Sequence, residues 1–421
     1  MSPRAPLAAL AVLLLAAPAA ADTTLDRTIR PASGAGFDAL TTAPGERHVV
    51  RRGGGATPEP GRARRRVSLL NFAQLTDPQI ADEMSPARVD FVDPAGGEVR
   101  SSHRPQEAMG LQVFDQVVRS VNANPRSPVR QGSGSRARLR LAITTGDLAD
   151  NQQLNETRWF RDVLDGGRID PFSGRAIGAG NACPQATASQ AAAINADVAA
   201  RRYTGVQDYD DYATAPAARQ AFFWDPDVAP PSPSPYAAFP RVPGLMDRAQ
   251  ARLTAAGLDV PWFISRGNHD GLIQGNAPAS TDLFRAIAVG CLKIFPNATF
   301  DPAAFEGASD EELFAVLGDP AQIVQLLGGA RTVAPDPARR IISKQEYRSV
   351  VGGRHGFRHT SAAQLQTSRG TASYYAWSLV RVCASSRSTP SPRAAATAAT
   401  STTRSTSGYA ASCGARHVAA S

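Results

Sequence analysis

Three short polar stretches carry the side chains best suited to chemistry, and each follows an apolar run of strand length. They are Asp77-Pro78-Gln79, Gly146-Asp147-Leu148-Ala149-Asp150-Asn151 and Gly267-Asn268-His269-Asp270. Carboxylate, amide oxygen and imidazole are the ligands that hard and borderline divalent cations take. A pair of such ions can hold a phosphoryl group and turn water into a nucleophile, provided one carboxylate is shared between them. An aspartate on a glycine turn suits the shared position, because the turn lets the main chain approach closely. Taken singly, Asp-Pro-Gln reads as a turn and Gly-Asp as a bend. Gly-Asn-His-Asp is more specific, since four polar or turn residues after Val-Pro-Trp-Phe-Ile-Ser have no evident packing use.

The flanking residues predict the elements that must position these stretches. Val67 to Leu75 reads as a strand ending at Asp77, Leu139 to Thr145 as a second, and Val260 to Ser265 as a third. Pro105 to Asn124 reads as a helix, with Leu111, Phe114, Val117, Val118 and Val121 on one buried stripe. Strand, helix, strand with polar residues just past the strand ends is the pattern of an α/β sheet whose site lies along one edge. Between the second and third strands runs an insertion, about Asp165 to Asp247, rich in Ala, Pro and aromatics. Its aromatics (Tyr203, Tyr209, Tyr212, Phe222, Phe223, Trp224 and Tyr236) either cover the site and contact substrate or pack over the sheet. Ser309 with Glu312 predicts a capping box for a helix through Leu317, and Pro320 the start of another to Leu327.

In their order, D-x-Q, G-D-x-x-D-N and G-N-H-D resemble the front half of the calcineurin-like metallophosphoesterase signature, over residues 67 to 377. The resemblance implies an α/β fold, a mixed two-sheet sandwich flanked by helices. It also implies two divalent ions (iron, manganese or zinc) and hydrolysis of a phosphomonoester or phosphodiester by metal-bound hydroxide. By the same resemblance Asp77 ligates the first ion, Asp147 bridges both and Asn268 ligates the second. His269 would stabilise or protonate the leaving oxygen, oriented by Asp150 or Asp270, and Asn151 and His269 would contact the substrate. Gln79 stands where most members have histidine; it either ligates through its oxygen or lies behind the ligands.

The back half of that signature, a G-H step and a G-H-x-H step, is absent. His355 and His359 follow no strand and read as loop or surface histidines. From Cys383 the chain is nearly all Ala, Ser, Thr and Arg, and no acidic residue follows Glu346. Residues 378–421 therefore read as a low-complexity, out-of-frame tail, with a frameshift expected near Ser378 to Val382 and the fold left C-terminally incomplete. A truncated, catalytically dead pseudoenzyme with at most a binding role is the competing expectation.

At 421 residues the chain has ample apolar residues for a core. Arg4, the apolar run Ala5 to Pro18 and Ala19-Ala20-Ala21 predict a signal peptide over residues 1–21, hence a secreted or periplasmic protein. No later run reaches spanning length, so stable membrane insertion is not expected. Residues 22–66 read as a polar leader or linker. Cys183 and Cys291 could pair in an oxidising compartment or remain as buried thiols. The net charge of +8 comes almost wholly from arginine, with Lys293 and Lys344 the only lysines. Its one dense run, Arg62-Ala63-Arg64-Arg65-Arg66, reads as a solvated linker, although such a run can also bind phosphates or anionic surfaces. The expected partner is a small phosphate ester rather than nucleic acid.

Overall fold

The computed structural model describes residues 23–32, 40–47, 57, 59–90, 93, 102–206, 224–229, 236–276, 279, 281–294, 309, 312, 315, 319, 321, 329–353, 355–380 and 416–420. The chain is a mixed α/β protein built on three short parallel strands. Ala142–Thr145 lies in the middle, with Ala73–Leu75 on one side and Trp262–Ser265 on the other. The register sets Ala73 against Ala142 and Ala142 against Trp262, so all three strands end at one level. Burial of both faces explains the unbroken apolar reading of Ala142-Ile143 and Trp262-Phe263-Ile264. The ladders are shorter than the apolar runs because Val67 and Leu69 are exposed, at 71% and 40%.

The predicted helix forms as a 3-10 turn, Pro105–Met109, leading into an α-helix, Gly110–Ala123. Leu111, Phe114 and Val118 are buried and Val121 half-buried, whereas Val117 is 39% exposed at the rim of the stripe. A second helix, Leu154–Asp165, follows the middle strand and brings Trp159, Phe160, Val163 and Leu164 into the same core.

A second sheet layered on the first is not seen among the described residues. The remaining strands pair off as five two-stranded antiparallel ladders. One of them, Arg27–Pro31 with Leu40–Pro44, gives the expected leader regular structure. Another pairs Tyr375–Val380 with Arg416–Ala420, so part of the low-complexity tail is a strand: an open strand edge takes any extended main chain as partner. Residues 381–415 lie outside the described residues. Tyr375–Val380 does not join the parallel sheet's ladder, but its Tyr375 Oη donates to Ile264 O at 2.7 Å and Trp377 packs 4.5 Å from Phe263.

Among the described residues the insertion holds the helix Ala188–Ala200, with a Thr187/Gln190 capping box and only Ile194 buried. Cys183 and Cys291 form a disulfide, tying the insertion to the far side of the third strand. Its described aromatics pack rather than line a cleft. Tyr203 Oη donates to Glu83 O at 3.2 Å, and Tyr236 meets His103 edge-on at 5.5 Å. Tyr209, Tyr212, Phe222 and Phe223 lie outside the described residues. The Ser309/Glu312 box forms, with Ser309 N donating to Glu312 Oε2 at 2.8 Å, while Leu317, Pro320 and Leu327 lie outside the described residues.

Candidate functional site

Parallel strands of equal length end together, so the three polar stretches emerge side by side. The loops after the first and second strands run in register. Gln79 N donates to Asp147 O at 2.9 Å, Ile80 N to Leu148 O at 2.8 Å and Asp150 N to Ile80 O at 3.1 Å. Three expected metal ligands on these loops, Asp77 (φ 51°), Gln79 (φ 43°) and Asp147 (φ 52°), have left-handed backbones. Such conformations cost L-residues roughly 1–2 kcal/mol each and cluster where function demands them. The loop after the third strand closes on the second with almost no clearance. A Cβ on Gly267 would lie 1.9 Å from Asp147 Oδ1, and one on Gly146 would lie 2.9 Å from Gly267 Cα.

Asp147 is half-buried, and its Oδ1 accepts from His269 N at 3.0 Å. Burial pushes its carboxyl up, the His269 ring and amide pull it down, and the neighbouring Asp77 carboxylate raises it again. Asp77 itself is exposed and takes the Thr76 hydroxyl on one oxygen. Two carboxylates sharing a site without an intervening cationic side chain are a donor set for a cation. Asn268 adds to it: its amide nitrogen donates to Gly275 O at 3.1 Å, and its oxygen accepts no hydrogen bond among the described residues. Asp77, Asp147 and Asn268 thus fit a hard divalent ion, with Gln79 alongside.

The His269 ring sits between two partners. Its Nδ1 is 2.8 Å from Asp150 Oδ1 and its Nε2 3.3 Å from the Gln79 amide nitrogen. An amide N–H facing Nε2 selects the tautomer with the proton on Nδ1, donated to Asp150. Of the two expected candidates, Asp150 is the carboxylate that faces the ring. Asp270 never reaches the ring. Its Oδ1 accepts from Leu148 N and Ala149 N, each at 3.0 Å, and its Oδ2 from Gly267 N at 2.9 Å, so it staples the second loop to the third. Burial pushes Asp270 up to about 6 despite those three amides. Asn151, expected to touch substrate, is 0% exposed. It donates to Glu156 and Asp150 and accepts from Gln274 N at 3.2 Å, behind the ligand face.

Sequence reading missed what stands behind Asp150. Arg88 Nη1 donates to it at 3.0 Å and Arg104 Nη2 at 2.7 Å. Arg88 also binds Asp90 and Glu107, and Lys293 Nζ reaches Asp90 at 2.8 Å. Gln274 ties this cluster to the third loop by donating to Asp90 at 3.0 Å. Burial alone would raise Asp150; the charges of Arg104 and Arg88 and the His269 bond overcome it and hold the carboxyl at about 2. The contacts that fix Asp150 span 46 to 119 residues and follow no periodicity. One trace was legible: in a chain whose charge is nearly all arginine, Lys293 stood out, and it is buried and paired.

His355 and His359 stay away from the site. His355 stacks on Trp262 at 5.5 Å, and His359 on Trp377 at 4.8 Å with 4° between the rings. No cluster of three or more His, Cys, Asp or Glu suited to a metal occurs among the described residues. Compared with known proteins, the chain matches no family model, no curated protein and no solved structure.

Proposed function

We propose that the chain is an exported, metal-dependent phosphoesterase of the calcineurin-like kind, acting on a small phosphomonoester or phosphodiester. One observation carries the reading. Asp77, Asp147, Asn268 and His269 come from the ends of three adjacent parallel strands and meet at one edge, with Asp77 and Asp147 on left-handed backbones. Asp77, Asp147 and Asn268, with the Gln79 oxygen as a further donor, would hold the ions. Bound divalent ions of this class polarise phosphoryl oxygens and lower the pKa of attacking water. The chain's own part is to place a proton. Asp150, fixed by Arg88 and Arg104, anchors His269 Nδ1, which leaves Nε2 as the atom that meets the leaving oxygen. The protonated ring keeps its Nδ1–H on Asp150 and presents Nε2–H to the leaving oxygen.

Export is supported by the N-terminal charged and apolar pattern and by the Cys183–Cys291 disulfide, which persists in an oxidising compartment. Residues 1–22 lie outside the described residues. The packing of Tyr375 and Trp377 on the third strand supports a second layer over the parallel sheet. A binding-only protein is the second reading, favoured by the single imidazole at the site and by the aromatic stacking of His355 and His359.

Hydrolysis of p-nitrophenyl phosphate and of its bis ester, measured with manganese, iron or zinc alongside metal content, tests both. Metal-dependent turnover is expected, with Asp147→Asn lowering it at least ~100-fold. Turnover undiminished in that variant would remove Asp147 from the centre. Tight ligand binding without turnover under any metal would favour the second reading.

A further inference from the structure

The basic run before the first core strand does not stand alone. Arg62–Arg65 forms a single helical turn with no buried residue, and Arg62, Arg64, Arg65 and Arg66 are all exposed. The hairpin of Arg126–Arg130 and Arg136–Arg138 is locked to it. Arg66 Nε donates to Arg130 O at 2.6 Å, Gly132 N to Arg66 O at 2.7 Å and Ser68 N to Gln131 Oε1 at 2.9 Å.

The hairpin register sets Arg126 opposite Arg138 and Arg130 opposite Arg136, and all four are exposed. Like charges directly opposite one another in a ladder repel, so this hairpin carries its charge against its own stability. Compensation is slight. Glu59 pairs with Arg65 at 2.9 Å, and Asp26 lies close enough to Arg136 to feel its charge. The guanidiniums of Arg62, Arg64 and Arg138 have no acidic partner among the described residues. Four arginines on the loop and four on the hairpin therefore adjoin with little to neutralise them.

The residues between the arginines decide what such a surface fits. Val67, Leu69 and Val129 are 71%, 40% and 37% exposed. No aromatic residue occurs in 59–71 or 125–140. Single-stranded nucleic acids are held on aromatic stacking platforms, which this face lacks. Arginines interleaved with exposed aliphatics suit the boundary between headgroups and acyl chains of an anionic bilayer. Against the loop lies an open concavity of about 560 Å³, lined by Glu59, Arg62, Arg64 and Arg66, within the size range of small-ligand sites.

The geometry points to a peripheral membrane-docking face. Loop 59–69 and hairpin 126–138 seat on an anionic phospholipid bilayer, with the arginines on headgroup phosphates and Val67, Leu69 and Val129 at the acyl boundary. This face is independent of the phosphoesterase reading.

Co-sedimentation of the full chain with phosphatidylcholine vesicles, with and without phosphatidylglycerol, tests it. Binding above the neutral-vesicle baseline is expected only with phosphatidylglycerol, and should fall steeply between about 0.05 and 0.5 M salt. Each basic residue near an anionic surface is worth roughly fivefold, so Arg62→Glu combined with Arg138→Glu should weaken the lipid-dependent binding at least ~25-fold. A circular-dichroism melt checks that the variant folds; if it does not, the lipid and salt dependence of the unaltered chain decides. Equal retention on both vesicle types, insensitivity to salt, or unchanged binding by the folded variant would overturn the proposal. So would release from vesicles by single-stranded oligonucleotide at equal phosphate concentration.

Discussion

A histidine between the Asp150 carboxylate and the Gln79 amide has one tautomer that satisfies both neighbours. What holds the ring in place is partly a missing side chain. Gly275 has φ +72°, and a Cβ there would lie 2.4 Å from His269 Cδ2 and Nε2. Gly275→Ala should push the ring off its axis while leaving Asp77 and Asp147 in place. Misplacement by about 1 Å costs on the order of 100-fold in rate. The same Cβ would lie 2.6 Å from Asn268 Nδ2, so the expected result is kcat lower by ~10- to 100-fold with the ion on Asp77 and Asp147 retained, read by steady-state kinetics and metal analysis. Loss of metal together with rate would mean that Gly275 supports the ligand loops instead. The residue types at the site were legible because ligand chemistry restricts them. The choice of Asp150 over Asp270 was not: both carboxylates lie within reach in sequence, and only the fold shows Asp270 committed to three backbone amides.

Among the longer helices, Ala188–Ala200 depends little on the core. It buries only Ile194, its start is held by the capping box and its middle by Asn195, which accepts from Ile177 N at 2.6 Å. The Cys183–Cys291 disulfide closes a loop of 108 residues around this region. Chain entropy for a loop of that length corresponds to about 5 kcal/mol. Replacing both cysteines by serine should lower stability by roughly that amount, with hydrogen exchange accelerated in 188–200 before 142–145. Uniform acceleration across both segments would show that the disulfide supports the whole domain. The three core strands could be read from the sequence because burial of both faces leaves continuous apolar runs. Their ends could not, since Val67 and Leu69 are as apolar as strand residues yet exposed. The ladder Tyr375–Val380 with Arg416–Ala420 escaped the sequence reading because main-chain pairing leaves little trace in side-chain pattern.

For the molecule as a whole, the buried cluster around Arg88 couples stability to pH. Asp150 is held at about 2 against an ordinary 3.8, so its ionised form is favoured by folding. Its contribution, about 2 kcal/mol from 1.36 kcal/mol per unit, is fully present above pH ~4 and lost as pH falls through ~2. Thermal melts should therefore drop between pH 4 and pH 2, and Arg104→Gln should flatten that drop while lowering stability at neutral pH. An unchanged acid limb in the variant would remove Arg104 from the account. Sequence by itself determined the α/β class, the three strands and the loops that carry Asp77, Asp147, Asn268 and His269, because periodicity and ligand chemistry are local. Only the tertiary structure decided which carboxylate faces His269, what fixes that carboxylate, and that the two arginine-rich segments adjoin. Those outcomes rest on contacts between residues 46 to 119 positions apart, where geometry in three dimensions selects the partner and no spacing along the chain encodes it.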